Sequence, residues 1–262
     1  MIGFIGGGNM AEALIKGMTS QGIKDIIVSE PNSDRRGFLE QEYEVKTTPS
    51  NREVASSCSL VVLAVKPQNM ADVLAEITGL ITEEKTVVSI AAGITLSYLQ
   101  SKLKTKRLVR VMPNTPALVQ EGMSVLSLCE CFSDGEIARI REIFMSVGRV
   151  LTLKEEHMNA VTALSGSGPA FVALFVEALT EAGAKMGLSR DNASELSVQT
   201  LIGTAKLLET GMPPQRLREM VTSPGGTTAA GLKVFEEMNL IGLVNDALHS
   251  AMKRAGELGR RE

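Results

Sequence analysis

The chain opens "MIGFIGGGNMAEALIKGM", Met1 to Met18, and this stretch reads as strand, glycine turn and helix. Ile2 to Ile5 form a short buried apolar run. Gly6, Gly7, Gly8, Asn9, Met10 and Ala11 then fit the spacing G-x-G-x-x-A. Ala11, Leu14, Ile15 and Met18 follow at helical intervals. Gly6 permits a tight turn, Gly8 lets backbone approach a pyrophosphate, and small Ala11 lets helix and strand pack closely. Free N–H groups and the dipole at the helix start attract phosphate. The position between strand and helix makes this a dinucleotide-binding turn rather than a bare glycine pattern.

Moving outward, four more apolar runs read as strands: Asp25–Glu30, Leu60–Val65, Thr86–Ile90 and Leu108–Met112. A further short strand lies near Val150 to Leu153. Continuous apolar strands alternating with helices predict a buried parallel sheet. Ligands of such sheets sit beyond the carboxyl ends of the strands. Lys66-Pro67, Ala91-Ala92-Gly93 and Pro113-Asn114 are therefore expected to line one crevice. At the end of the second strand, Glu30 suits a ribose diol and thus NAD. Ser29, Asn32, Arg35 and Arg36 suit a 2′-phosphate and thus NADP. The residues leave that choice open.

Composition narrows the class. The chain has 262 residues, 44% of them hydrophobic, and a formal net charge of −3. No basic excess points to nucleic acid or an anionic membrane. The three cysteines, Cys58, Cys129 and Cys131, read as structural thiols in a reducing compartment. No targeting segment is expected, because the first apolar run meets three glycines at once. Gly166, Gly168, Pro169 and Glu177 interrupt the longest apolar stretch, Ala160 to Leu179, so a membrane span is not expected. A cytoplasmic protein follows.

Past Leu153 the strand patterns stop. Phe171–Met186 and Ala193–Leu208 read as long helices, Pro213–Thr222 and Thr227–Met238 as shorter ones, and Leu240–Leu258 as the last. Many interior positions are Ala, Gly, Ser or Thr. About a hundred residues of such helices make a thin domain, so part of their apolar surface is expected to meet a second copy of the chain.

The motifs "FIGGGNMAEALI", "LAVKPQ", "SIAAGI", "RVMPNTPALV", "ALSGSGPAF" and "SPGGTTAAGLKVFE" occur in order. Together they resemble pyrroline-5-carboxylate reductases over essentially the whole chain. The resemblance implies an α/β fold: an N-terminal Rossmann domain with a mostly parallel, doubly wound sheet (1–153), then an all-α dimerisation domain (154–262). It implies NADPH- or NADH-dependent reduction of a small cyclic imine, 1-pyrroline-5-carboxylate, to L-proline. It implies a homodimer through the C-terminal helices, often assembled into a ring of dimers. Carried over by position, Gly6 to Ala11 form the pyrophosphate turn. Ser29 and Pro31 lie near the adenosine ribose, and Asn51 makes a further cofactor contact. Ala64, Val65, Lys66 and Pro67, with Ala91, Ala92 and Gly93, lie on the nicotinamide side. Ser223, Gly225, Gly226, Thr227 and Thr228 form the substrate loop. Glu155 falls near a substrate position, with Glu156 as the adjacent register.

In that loop Ser223 reads as an N-cap and Pro224 as the first helical residue. Gly225 and Gly226 then leave backbone N–H groups open to a carboxylate. Thr228 is the candidate catalytic residue, its hydroxyl near the ring nitrogen. An imine of this kind carries its own proton near neutral pH, so a strong protein acid is not required. This matches a chain with only two histidines, His157 and His249, and no candidate metal cluster. Two rivals remain. A two-domain hydroxyacid dehydrogenase would want a lysine early on the first long helix of the second domain, where only Lys185 stands near the end. A non-catalytic NAD(P) sensor would have no use for a carboxylate loop.

Overall fold

The computed structural model describes residues 1–129 and 131–259. Its first part is an eight-stranded sheet with helices on both faces. The elements run β1 (Ile2–Ile5), α1 (Asn9–Ser20), β2 (Ile26–Ser29), α2 (Ser33–Tyr43), β3 (Lys46–Thr48), α3 (Asn51–Ser57) and β4 (Leu60–Leu63). There follow α4 (Met70–Ile77), β5 (Thr86–Ser89), α5 (Leu96–Lys102), β6 (Leu108–Met112), β7 (Gly122–Leu128), α6 (Asp134–Met145) and β8 (Gly148–Thr152). The strand order is β3-β2-β1-β4-β5-β6-β7-β8, parallel except for the antiparallel β6–β7 pair. Sequence patterning missed two strands. Lys46–Thr48 is a three-residue edge strand with no apolar side chain, and Gly122–Leu128 has polar residues interleaved.

The continuous apolar strands have a simple cause. Successive side chains enter opposite cores. Ile2 and Phe4 join α1 residues Leu14, Ile15 and Met18 on one face, while Ile5 joins Val54, Met70 and Leu74 on the other. Val62 serves the first core; Val61 and Leu63 serve the second. Both faces being covered, no position in β1 or β4 is free to be polar.

The remaining helices are α7 (Met158–Val161), α8 (Gly168–Lys185), α9 (Arg190–Glu209), α10 (Pro214–Met220), α11 (Thr227–Glu237) and α12 (Leu240–Leu258). A single π turn, Thr162–Gly166, joins α7 to α8. The chain divides into two compact units. The first is Met1–Ser167 together with the segment from Ser250 onward; the second is Gly168–His249. This differs from the boundary at 153/154 expected from sequence. Met158 and Val161 pack on Val125 of β7, so the first turns after β8 join the nucleotide half, and Ala255 of α12 is likewise buried.

One sequence expectation is corrected here. Cys129 and Cys131 are joined by a disulfide, and only Cys58 is a free, buried thiol. Burial pushes the Cys58 thiol up, which suits a packing role. The longest apolar stretch passes through the π turn and a bend at Ser167 before α8 begins, and Glu155–Lys185 is long and apolar enough to cross a bilayer by length and composition alone. Pro169 lies in the first turn of α8, where a missing N–H costs nothing.

Candidate functional site

The turn after β1 is built as the glycine spacing requires. Gly6 adopts φ +99°. A side chain there would lie 2.8 Å from the Ala64 carbonyl oxygen, so only glycine fits between β1 and β4. Gly8 is the N-cap of α1, extended at φ −70°, and no side chain caps the helix. A Cβ on Gly8 would meet nothing within 4 Å. The fold itself therefore does not require glycine at position 8. The first-turn N–H groups of α1 are left for an anion. β1 and β4 are also where the strand order reverses, the usual place for a crevice.

A cleft of about 370 Å³ opens there, lined by Gly6, Gly8, Ser29, Glu30, Pro31, Asn51, Ala64, Val65, Lys66, Asn69 and Val73. Eight of the seventeen sequence-expected cofactor residues line this one cleft. Gly7, Asn9 and Met10 belong to the same turn and helix start, and Ala11 is buried beneath it. Pro67 begins the short 3-10 turn Pro67–Asn69 at the cleft edge. Ser29 is buried, and its hydroxyl donates to Asn51 Oδ1 at 2.7 Å; the Asn51 amide donates to Glu76 at 2.8 Å. That chain of bonds ties the end of β2 to the start of α3. A dinucleotide fits this donor set: a bare glycine cradle, an uncapped helix start and an acidic side chain at the second strand.

Arg35 stands elsewhere than a phosphate reader would. Its Nε donates to the Gly7 carbonyl at 2.7 Å, and its Nη2 pairs with Glu12 at 2.5 Å. Tyr43 donates its hydroxyl to the same Glu12 at 2.9 Å. Burial alone would raise Glu12, but bonds from Arg35 and Tyr43 and the Arg35 charge hold its carboxyl below the usual value. Burial and the Glu12 contact push Tyr43 up to about 12. The trio braces the glycine turn from beneath.

Ala91, Ala92 and Gly93 are not among the cleft-lining residues. Gly93, at φ +83°, packs against the end of α12, its position 3.2 Å from Leu258 Cβ for an added side chain. Asn114, expected only as a crevice residue, holds the loop before α8 instead. Its Oδ1 accepts from the Met123 N–H at 2.8 Å, and its Nδ2 donates to Ser165 Oγ at 3.3 Å. Glu155 accepts from the Leu96 N–H at 2.7 Å and from buried Arg110 at 3.2 Å. Arg110 went unnoticed in the sequence because a lone arginine inside an apolar strand gives no sign of its partner 45 residues away. Glu156 faces His157 at 3.6 Å.

The late glycine loop lies within the second unit, and its local structure differs from the sequence expectation. The Gly226 N–H donates to the Ser223 carbonyl at 3.0 Å, and Gly225 has φ +71°. Pro224 and Gly225 are thus the corners of a type II turn, proline fixing the first and glycine allowing the second. Ser223 is not the N-cap. A right-handed helix cannot run through Gly225, so α11 starts at Thr227 with Gly226 as its cap. The Gly226 N–H is used in the turn. The first-turn N–H groups from Thr227 to Ala229 have no side-chain cap. The uncapped helix start thus lies about one turn later than expected.

The sheet order, the glycine turn and the cleft at the switch point define a dinucleotide-dependent Rossmann domain, joined to a helical unit. Comparison with known proteins narrows this. The family described as "NADP oxidoreductase coenzyme F420-dependent" matches residues 1–93. The family described as "Pyrroline-5-carboxylate reductase dimerisation" matches residues 155–258. A pyrroline-5-carboxylate reductase of Synechocystis sp. is 40% identical over 99% of this chain and 98% of its own length. The structure of a pyrroline-5-carboxylate reductase from Coxiella burnetii superposes with a TM-score of 0.91 at 38% identity, covering 98% of this chain and 97% of that one. A Plasmodium falciparum pyrroline carboxylate reductase, solved with NADP bound, gives 0.88 at 32% identity, covering 98% and 97%. The chain belongs to the pyrroline-5-carboxylate reductase family. It is an NAD(P)H-dependent oxidoreductase with a C-terminal dimerisation domain.

Proposed function

We propose that the chain reduces the C=N bond of 1-pyrroline-5-carboxylate to give L-proline, using NADPH or NADH. The observation that carries this is coverage: reductases about 40% identical match both halves of the chain, not the dinucleotide fold alone.

When bound, the nicotinamide supplies the hydride. The chain supplies position. Gly6, Gly7 and Gly8 and the start of α1 hold the pyrophosphate. Ser29, Glu30, Pro31 and Asn51 border the adenosine ribose, and Ala64 to Pro67 border the nicotinamide side, as do Ala91 to Gly93. The α11 start, from Thr227 to Ala229, takes the substrate carboxylate on backbone N–H groups and the helix dipole, with Gly226 as its bare cap. Ser223 and Gly225 shape that turn, and the Thr228 hydroxyl orients the ring nitrogen. The imine brings its own proton, so rate comes chiefly from alignment of two reactants.

Residues 154–262 act as the dimerisation and substrate domain. Two copies join through the C-terminal helices, and dimers assemble further into a ring. The exposed apolar run of Glu155–Lys185 faces protein rather than lipid, a reading that the match to a dimerisation family supports. The enzyme works in the cytoplasm with a small-molecule substrate and has no nucleic-acid or membrane partner. The test is purified protein with pyrroline-5-carboxylate and reduced cofactor, followed at 340 nm, with chromatographic detection of proline. Cofactor consumption with proline formed supports the proposal; binding without turnover points to a sensor, and turnover only with 2-oxo acids to a dehydrogenase.

A further inference from the structure

Glu30 stands at the adenosine end of the cleft, and we infer that it makes this chain select NADH over NADPH. The inference rests on the dinucleotide reading of the cleft but goes beyond it. Glu30 follows the last residue of β2 and lines the cleft beside Gly6, Gly8 and Asn51. In folds of this kind the adenosine ribose lies at that strand end.

The carboxylate is fixed at two points. One oxygen accepts from the Gly7 N–H at 3.0 Å and the other from the Asn32 N–H at 3.1 Å. Each oxygen keeps a further acceptor site. An oriented carboxylate with two open acceptor sites matches a ribose diol, which has two hydroxyl protons to give. A 2′-phosphate has roughly −1.5 to −2 charges at neutral pH and brings like charge to the same place.

The groups that would neutralise a phosphate are already engaged. Arg35 points beneath the glycine turn, bonded to the Gly7 carbonyl and to Glu12, and its guanidinium lies 5.1 Å from the Phe38 ring centre. Arg36 Nη1 donates to the carbonyls of Glu30 at 2.8 Å and Pro31 at 2.9 Å. The α2 start offers little, because the Asn32 side chain already accepts from the Asp34 and Arg35 N–H groups. Asp34 in that first turn adds another negative charge. Lys66 is the one cation among the residues lining the cleft. It follows β4, two strand positions from β2 in the sheet order, or about 10 Å at ordinary strand spacing.

The test is equilibrium binding of NADH and NADPH without substrate, read by calorimetry or nucleotide fluorescence. Wild type, Glu30→Gln, Glu30→Ser and Arg36→Ala are compared, with AMP and 2′,5′-ADP as adenosine-end probes. Wild type should bind NADH at least about tenfold tighter, the loss expected for one unfavourable charge contact. Glu30→Gln keeps the size and removes the charge and one acceptor; it should tighten NADPH and 2′,5′-ADP and weaken NADH and AMP. Glu30→Ser should bring the two cofactors level or reverse their order. Equal or tighter NADPH binding by wild type overturns the inference while leaving the dinucleotide cleft standing. So does an unchanged ratio in both Glu30 variants, or a selective loss of NADPH in Arg36→Ala. Binding of neither nucleotide overturns the inference and the cleft assignment together.

Discussion

Strand β4 and helix α11 are both apolar in part, yet they live in opposite surroundings. All four residues of Leu60–Leu63 are buried; none of the eleven in Thr227–Glu237 is. The contrast extends to the whole of each unit. The sheet unit encloses two cores, one on either face. In the second unit α8 buries only Thr180 and Gly183, and α9 only Ala193 and Ser197. Leu174 is 64% exposed and Ile241 81%. Burial is worth about 25 cal/mol per Å² of apolar surface, so the first unit holds its own stabilisation and the second leaves most of it unused. A single soluble chain rarely exposes so much contiguous apolar surface. The match of residues 155–258 to a dimerisation family accords with that exposure: on the proposed reading, the core of the second unit is completed by another copy.

The largest effect should come from breaking that shared core. Leu174→Asp places an unpaired charge on α8, and such a charge costs about 3–5 kcal/mol when buried. Self-association measured by sedimentation should weaken on the order of a hundredfold or more, while the sheet unit keeps its circular dichroism and its cofactor binding. Next comes the reverse case, a change that spares fold and assembly. Gly8→Val suits the extended backbone and its Cβ meets nothing within 4 Å; on the proposed reading the side chain stands where the pyrophosphate binds. Cofactor affinity should fall about a hundredfold, several contacts at roughly 1.5–3 kcal/mol each being disturbed, with an unchanged melting temperature.

What the sequence made legible follows the same division. The nucleotide half could be read closely, because its strands are continuous apolar runs and its turn residues obey local rules. Gly6 is glycine for a backbone reason visible in the spacing. The failures are those of non-local causes. Thr47 and Thr48 join the sheet through pairing with Val28 and Ser29, which no periodicity shows. Asn114 and Arg110 find partners far along the chain. Ser223 looked like a cap because serine before proline suits one, yet Gly225 with positive φ moves the helix start to Thr227. The helical half was legible as helices and as small-residue surface. On the proposed reading, what covers that surface is another molecule, and no single sequence contains it.

Three smaller effects sharpen the contrast. Thr228→Ala should lower kcat about ten- to a hundredfold, as for a lost hydrogen bond to a charged group, and leave cofactor affinity unchanged; steady-state kinetics with separate cofactor titration checks both. Glu155→Gln leaves buried Arg110 short of its charge partner and should cost about 1–3 kcal/mol in urea unfolding of the sheet unit, without altering sedimentation. The smallest is a pH effect. Glu12 is held below its ordinary value of 4.5, so its contribution is present above that value and is lost as pH falls through the folded-state value. Tyr43 is raised to about 12, so its contribution is full below its ordinary 10 and is lost as pH rises through about 12. Urea midpoints of wild type, Glu12→Gln and Tyr43→Phe across pH should show the acid-side loss shrinking in the first variant and the alkaline loss in the second.

The difference between the two units is tested most directly by thermal unfolding of the wild-type protein across a hundredfold range of concentration, with sedimentation at each point. A helical unit completed by a second copy requires a species of at least twice the chain mass and an unfolding midpoint that climbs with concentration. A monomer at every concentration, with one fixed midpoint, would contradict the account.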